Sequence, residues 1–239
     1  MAIAGIVLAG GSGSRVQRDV NKVFLPLAER EMLGYSLSTM ELSPRIDDIV
    51  LVVREEDRGL AEQLVHDIGV SKVRAIVAGG ESRHQSEFHG LQAIAAGIGA
   101  GATEIVVIHD GARPFMTTDL LHATIDAARR SGGGVPGLPI EGPVYEQSDD
   151  HTPVGLPPDK LRRMQTPQAF RARPLLSAYR QANRDRQEGV DTAATAARYT
   201  DLAIEVVQGD PRNIKVTFVE DIFGAEENAA AFEAGAWTR

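Results

Sequence analysis

The chain has 239 residues, 43% apolar and 24% charged, with 25 basic against 33 acidic side chains and a net charge of −8. That acidity argues against a nucleic-acid partner, which asks for a net basic face, and the absence of cysteine excludes disulfides, thiolate nucleophiles and Cys-ligated metal. No run approaches the ~18 apolar residues of a membrane span, so the expectation is a cytoplasmic chain without a membrane partner, folded as one unit over 1–239.

The first apolar run, Ile3–Leu8, lacks a basic flank and leads straight into glycines, so it reads as a buried strand rather than a targeting segment. The glycines that follow, in Leu8-Ala9-Gly10-Gly11-Ser12-Gly13-Ser14-Arg15, stand at the carboxyl end of that strand. There, in an open parallel sheet, backbone amides can approach phosphate oxygens closely. The loop matches neither the dinucleotide fingerprint, which wants a third glycine where Arg15 stands, nor the P-loop with its Gly-Lys-Ser/Thr. A basic residue closes it instead. Arg15 offers a planar fork for phosphate oxygens, and Lys22, beside Phe24-Leu25-Pro26, adds a point charge. The alternative is a plain strand-to-helix turn with solvated charges.

Ile49–Val53 predicts a second strand, and Leu60, Leu64 and Ile68 have helical spacing. A third strand, Val73–Val77, ends in Gly79-Gly80-Glu81-Ser82-Arg83-His84-Gln85-Ser86. Here Ser82 and Gln85 form a capping box, and Arg83 in the first helical turn repeats the anion-binding logic of the first loop. Helical spacing continues through Phe88, Leu91 and Ala95.

Ile105–Ile108 predicts a fourth strand, followed by His109-Asp110-Gly111-Ala112-Arg113-Pro114. Asp110 offers oxygen ligands to Mg²⁺ or to a ribose hydroxyl, with Arg113 placed to hold it. His109 reads as a structural hydrogen-bonding residue. A helix with Leu121, Ile125 and Ala128 on one face comes next.

From Gly132 to Lys160 the pattern breaks into glycines, six prolines between Pro136 and Pro158, and acidic residues, which predicts an arm, lid or loop in place of a central strand. Its apolar residues Ile140, Val144, Tyr145, Val154 and Leu156 would be left in water unless a partner covered them. Beyond it lie a strand at Ala203–Val207, then Asn213-Ile214-Lys215-Val216-Thr217 with a second capping box from Thr217 to Glu220, and a closing helix from Phe218 to about Ala236. Alternating strands and helices imply a doubly wound, mostly parallel α/β sheet, whose strand ends would gather all four loops at one edge.

The Gly10–Arg15 loop with Lys22, Gly79-Gly80 with Arg83 and Ser86, His109-Asp110 with Ala112-Arg113-Pro114, Thr166-Pro167-Gln168, Asp191 and Asn213–Thr217 together resemble the 2-C-methyl-D-erythritol 4-phosphate cytidylyltransferase family of isoprenoid biosynthesis, and the related ribitol-5-phosphate cytidylyltransferases. The resemblance spans nearly the whole chain. It implies that the sheet is Rossmann-like and that the chain is a nucleotidyltransferase that binds CTP with Mg²⁺ through Ala9, Gly10, Gly11, Gly13, Gly80, Arg83, Ser86, Asp110 and Gly111, with Asp110 at the metal. Arg15 and Lys22 would stabilise the transition state, and Lys215 would help hold a small polyol-phosphate acceptor. Residues 140–160 would be the arm through which two subunits pair. The chain departs from the family pattern in that arm: Glu141-Gly142-Pro143 stands where an Asp-Thr step is usual, and Pro158 stands eight residues before Thr166 in place of an arginine. Two other readings stay open at this point: a nucleotidyltransferase with a different sugar-phosphate acceptor, and a catalytically weakened CTP-binding paralogue acting as a regulatory or interaction module.

Overall fold

The structure is a computed structural model, and it describes residues 1–11, 21–147, 153–217 and 220–235. In chain order the first elements are β1 (Ala2–Ala9), the short β2 (Pro26–Leu27) and β3 (Arg30–Glu31), α1 (Met32–Leu42), β4 (Asp48–Val53), α2 (Arg58–Asp67) and β5 (Val73–Ala78). Then come α3 (Arg83–Ala93), α4 (Ala95–Gly99), β6 (Thr103–Asp110), α5 (Thr118–Ser131) and β7 (Gly132–Pro139). The hairpin strands β8 (Val144–Gln147) and β9 (Pro153–Leu156) precede β10 (Arg162–Met164), β11 (Gln168–Arg171), α6 (Ala172–Asp185), α7 (Thr192–Tyr199), β12 (Ala203–Gln208) and α8 (Glu220–Glu233).

Among the described residues, one eight-stranded sheet runs β10-β7-β11-β6-β1-β4-β5, with β12 also paired to β7. β6, β1, β4 and β5 are mutually parallel, while β11 runs antiparallel to β6 and β7. Successive strand residues face opposite sides, as a pleated sheet requires. Thus Ile49, Leu51 and Val53 join a core with α1, α2, α5 and α8, whereas Val50 and Val52 join one with α3, α6 and α7. Both faces are covered, and the sheet is a mixed, mostly parallel Rossmann-like one.

The expectation that Gly132 begins an irregular segment is corrected. β7 is a fully paired interior strand, buried from Gly132 to Leu138. Its glycines make it so: a Cβ on Gly134 would lie 2.3 Å from the Thr124 carbonyl of α5, so only a bare backbone admits the helix this closely. Pro136 is tolerated because β11 pairs with β7 only at Gly133 and Gly134, and the Pro136 carbonyl still accepts from Gln165 N at 2.8 Å. Past Pro139 the chain leaves the sheet as the β8–β9 hairpin, in register from Val144 opposite Leu156 to Gln147 opposite Pro153.

Helix starts also differ from the sequence reading. Ser82 caps α3 by accepting from Gln85 N at 3.1 Å, but the Gln85 side chain takes the Glu81 amide instead of that of Ser82. At Thr217 the amide is taken by Asp221 Oδ2 at 2.7 Å, one residue beyond Glu220; residues 218 and 219 lie outside the described residues. On α2 the buried face is Ala61 and Leu64, and Leu60 is 47% exposed.

Candidate functional site

A cleft of about 1100 Å³ opens along the carboxyl ends of β1, β5 and β6. Ala9, Gly10 and Gly11 form one wall, Gly79, Gly80, Arg83 and Ser86 another, and Asp110, Lys22 and Lys215 stand between them. Gly111 does not line it: its amide closes onto the Leu8 carbonyl at 2.8 Å, behind the wall. Gly13 and Arg15 lie outside the described residues.

The second wall is shaped by Ser86. Its Oγ accepts from Gly80 N at 3.1 Å and donates to the Ser82 carbonyl at 2.9 Å, folding the loop back onto the first turn of α3. A Cβ on Gly80 would meet Gln85 at 2.3 Å, which leaves the backbone as that loop's surface.

Asp110 is the electrostatic centre. Its side chain is 9% exposed, with Oδ2 2.8 Å from Lys215 Nζ and Oδ1 3.2 Å from Arg83 Nη2; Arg113 Nε is more distant at 3.9 Å. Burial by itself would raise the carboxyl, but Arg83, Lys215 and Arg113 together hold it well below the usual carboxylate range. Asp110 is therefore an anion at any physiological pH. It shares the cleft with the cations Lys22, Arg54, Arg83 and Lys215 and with the acids Glu55, Glu56 and Glu81.

Beneath it, Asp110 N donates to Thr166 Oγ1 at 3.0 Å, and Thr166 lies 3.1 Å from His109 Nδ1. His109 Nε2 donates to the Arg113 carbonyl at 3.0 Å, which fixes the neutral tautomer. Complete burial pushes the imidazole down to about 4. His109 is a neutral brace for the strand end.

Lys22 Nζ donates to the Thr217 carbonyl at 3.3 Å, tying the first loop to the segment that carries Lys215. Thr166, Gln168 and Asp191 form a supporting layer: Gln168 Nε2 donates to Asp191 Oδ2 at 2.9 Å, and Asp191 caps α7 through Ala194 N at 2.8 Å.

Sequence reasoning missed a second network. The buried Asn21 donates from Nδ2 to the Ala9 carbonyl at 2.7 Å and to Asp57 Oδ2 at 2.9 Å, and Arg54 grips Asp57 in a fork at 2.6 and 2.8 Å. Arg54 follows β4 directly, so the rule that strand ends carry function would have flagged it. Asn21 and Asp57 had no comparable signal, because only the fold brings them together.

An α/β sheet with glycine loops, a fixed carboxylate and several cations at one rim defines a protein that handles a nucleoside phosphate, in the manner of a nucleotidyltransferase. The sequence model of the 2-C-methyl-D-erythritol 4-phosphate cytidylyltransferase family matches residues 3–229. The chain is 38% identical to the enzyme of that name from Syntrophus aciditrophicus over 94% of both chains. It is 35% identical to that from Geobacillus kaustophilus, over 95% of this chain and 96% of the relative. It superposes on the crystal structure of 4-diphosphocytidyl-2C-methyl-D-erythritol synthase from Anaerococcus prevotii with a TM-score of 0.83 at 27% identity, covering 96% of this chain and 98% of that one. The chain belongs to the 2-C-methyl-D-erythritol 4-phosphate cytidylyltransferase family.

Proposed function

We infer that the protein is a cytidylyltransferase that joins CTP to 2-C-methyl-D-erythritol 4-phosphate, releasing pyrophosphate, as its relatives' names describe and as a step of isoprenoid biosynthesis requires. The observation that carries this reading is the convergence of Gly10–Gly11, Gly79–Gly80, Lys22, Arg83, Lys215 and an ionised Asp110 on one cleft. A catalytically weakened binding module is not favoured.

In this reaction a phosphate oxygen of the acceptor attacks the α-phosphorus of CTP, and the bond to the β-phosphate oxygen breaks. The attacking oxygen is already ionised at neutral pH, so no general base is needed, in keeping with a neutral, buried His109. Catalysis then rests on positioning and on cations where charge develops. Lys22, with Arg15, supplies those cations to the triphosphate, and the backbone of the two glycine loops seats its nucleotide.

Magnesium binds such sites through one or two carboxylates with the remaining ligands drawn from phosphates and water. A single, permanently ionised Asp110 fits that pattern; among the described residues there is no cluster of three or more His, Asp or Glu to make an all-protein cage. The ion would spread negative charge off the phosphates.

For the acceptor, Lys215 is the first phosphate contact. Arg163 on β10 is the best replacement for the arginine that Pro158 displaces: among the described residues it makes no ion pair, and, after burial and the Arg83 charge, its own charge helps hold Arg113 below its usual range. Arg162 is spent on the Asp159 and Leu161 carbonyls at 2.8 Å. The arm, with Tyr145 61% and Val154 52% exposed, is read as the surface that pairs two subunits. A cytoplasmic location is in keeping with the absence, among the described residues, of any helix long and apolar enough to cross a membrane.

The test is pyrophosphate release on mixing the protein with CTP, Mg²⁺ and the methylerythritol phosphate, with ribitol phosphate as the competing acceptor and UTP and ATP as competing nucleotides. Release with CTP and the methylerythritol phosphate alone is expected. Release with ribitol phosphate only would move the acceptor assignment, and equal use of UTP would remove the base specificity.

A further inference from the structure

Glu87 lies one turn after Arg83 on α3 with its side chain wholly buried. A carboxylate is almost never buried so completely without partners. Here they come from three elements. Tyr179 of α6 donates its hydroxyl to Oε2, Thr192 at the start of α7 donates to Oε1 at 2.9 Å, and Arg83 Nη2 approaches Oε1 at 3.2 Å. The same Arg83 nitrogen is 3.2 Å from Asp110 Oδ1. One guanidinium nitrogen thus stands between two carboxylates, one at the cleft and one sealed in the core.

Arg83 Nε and Nη2 are shielded from solvent yet make no hydrogen bond. Buried donors are normally satisfied. Charge from both sides holds this guanidinium, whose Nη1 also donates to the Val190 carbonyl at 3.5 Å; Arg83 lines the cleft with Gly80 and Ser86, the loop that faces the nucleotide in the cytidylyl reading.

We propose that Glu87 is a positioning residue for nucleotide binding: it shares the Arg83 guanidinium with Asp110, so that Arg83 is held in one fixed place at the cleft wall for the nucleotide. The proposal rests on the cytidylyl reading. Tyr179 and Thr192 act by fixing Glu87, and His84, stacked on the Tyr179 ring at 4.6 Å, fixes Tyr179. The charged and titratable groups acting on Glu87 are Arg83 from its own helix, Tyr179 from α6 and Asp110 from β6; Asp191 at the start of α7 acts on Arg83 and His84 packs on Tyr179. Burial pushes the Glu87 carboxyl up to about 7, against the lowering effects of Arg83, Tyr179 and Thr192. The Tyr179 hydroxyl is itself raised well above its ordinary value, first by burial, and so remains a donor throughout.

The carboxyl is raised, so between its ordinary value of 4.5 and about 7 the folded chain keeps a proton that the unfolded chain has lost. Stability therefore falls with pH across that window and is level above it. Loss of the proton near 7 is also what gives Arg83 its second anionic partner beside Asp110.

The experiment is CTP calorimetry without acceptor, together with kcat and KM, from about pH 6 to about pH 8.5 on the parent, Glu87→Gln and Tyr179→Phe. In the parent, CTP affinity should rise through an inflection near 7. Glu87→Gln should bind CTP roughly tenfold more weakly at about pH 8, with no inflection, and raise KM for CTP far more than it lowers kcat. Tyr179→Phe removes a donor that favours the charged carboxylate, so the inflection should move upward. Parental affinity and an unchanged pH profile in a folded Glu87→Gln would overturn the proposal; if that variant does not fold, an unshifted inflection in Tyr179→Phe overturns it. A parent that bound no CTP at all would sink the cytidylyl reading instead. The buried charge is then read from melting temperatures, where Glu87→Gln should gain on the parent between about pH 5 and about pH 8, and a constant difference would refute it.

Discussion

The two ends of the sheet's carboxyl rim are built to different standards. Around β1, β5 and β6 the charges are cross-braced within one chain: Lys215 and Arg83 on Asp110, Asn21 and Arg54 on Asp57, Ser86 on Gly80. Around β8, β9 and β10 the chain leaves Tyr145 and Val154 in water, and among the described residues Arg163 has no ion pair. The cleft side is braced by contacts within the one chain, and the arm side presents exposed apolar surface. On the proposed reading, the nucleotide chemistry would stay fixed while the acceptor chemistry changes with the arm.

The comparison predicts its own breaking points. Lys22→Ala should cut turnover by roughly 10²-fold or more with the fold retained, as removal of one transition-state donor does. Steady-state kinetics and circular dichroism on the same sample would decide it, and near-parental turnover would remove Lys22 from the mechanism. On the arm side, Tyr145→Asp combined with Val154→Asp should leave a monomer by light scattering and raise KM for the acceptor by about tenfold, with CTP affinity unchanged. A variant that stays dimeric, or a parent that is monomeric at micromolar concentration, would show that the arm is not the pairing surface. Arg163→Ala should likewise raise KM for the acceptor by several-fold while sparing CTP, in line with the loss of one charge-assisted hydrogen bond; a CTP defect instead would place Arg163 on the wrong side of the comparison. The smallest effect belongs to Ser86→Ala, where loss of one hydrogen bond of about 1 kcal/mol should weaken CTP binding by roughly fivefold, measured by calorimetry.

Much of this rim was legible in the sequence because parallel strands buried on both faces are written as near-continuous apolar runs, as β1, β4 and β6 are, while the partly exposed β5 and β12 keep enough apolar residues around Arg74 and Glu205 to be read as strands. The loops that follow them carry glycine and charge in contiguous stretches, so Ala9 to Gly11, Gly80, Arg83, Ser86, Asp110 and Lys215 could be named before their cleft was seen. β7 defeated the same reasoning. Its Gly-Gly-Gly-Val-Pro-Gly run has the composition of a loop, and only the packing of the folded chain explains why side chains are absent there: Leu202 crowds Gly132, Phe170 crowds Gly133, α5 crowds Gly134 and Val206 crowds Gly137. β10 and β11 are too short to show a period. Asn21, Asp57, Glu87 and Tyr179 were unreadable for another reason: each acts through a partner at least 30 positions away, and nothing local marks a buried carboxylate as paired.

Asn21 has a mechanical role as well as a polar one. Its side chain fastens to the Ala9 carbonyl twelve positions earlier, so the two feet of the first glycine loop are clasped to each other, and through Asp57 to the start of α2. Once a loop's ends are clasped, doubling its length adds only about 0.6 kcal/mol of closure entropy. The positions of Gly10 and Lys22 relative to each other are therefore set by the clasp and not by the length of chain between its ends.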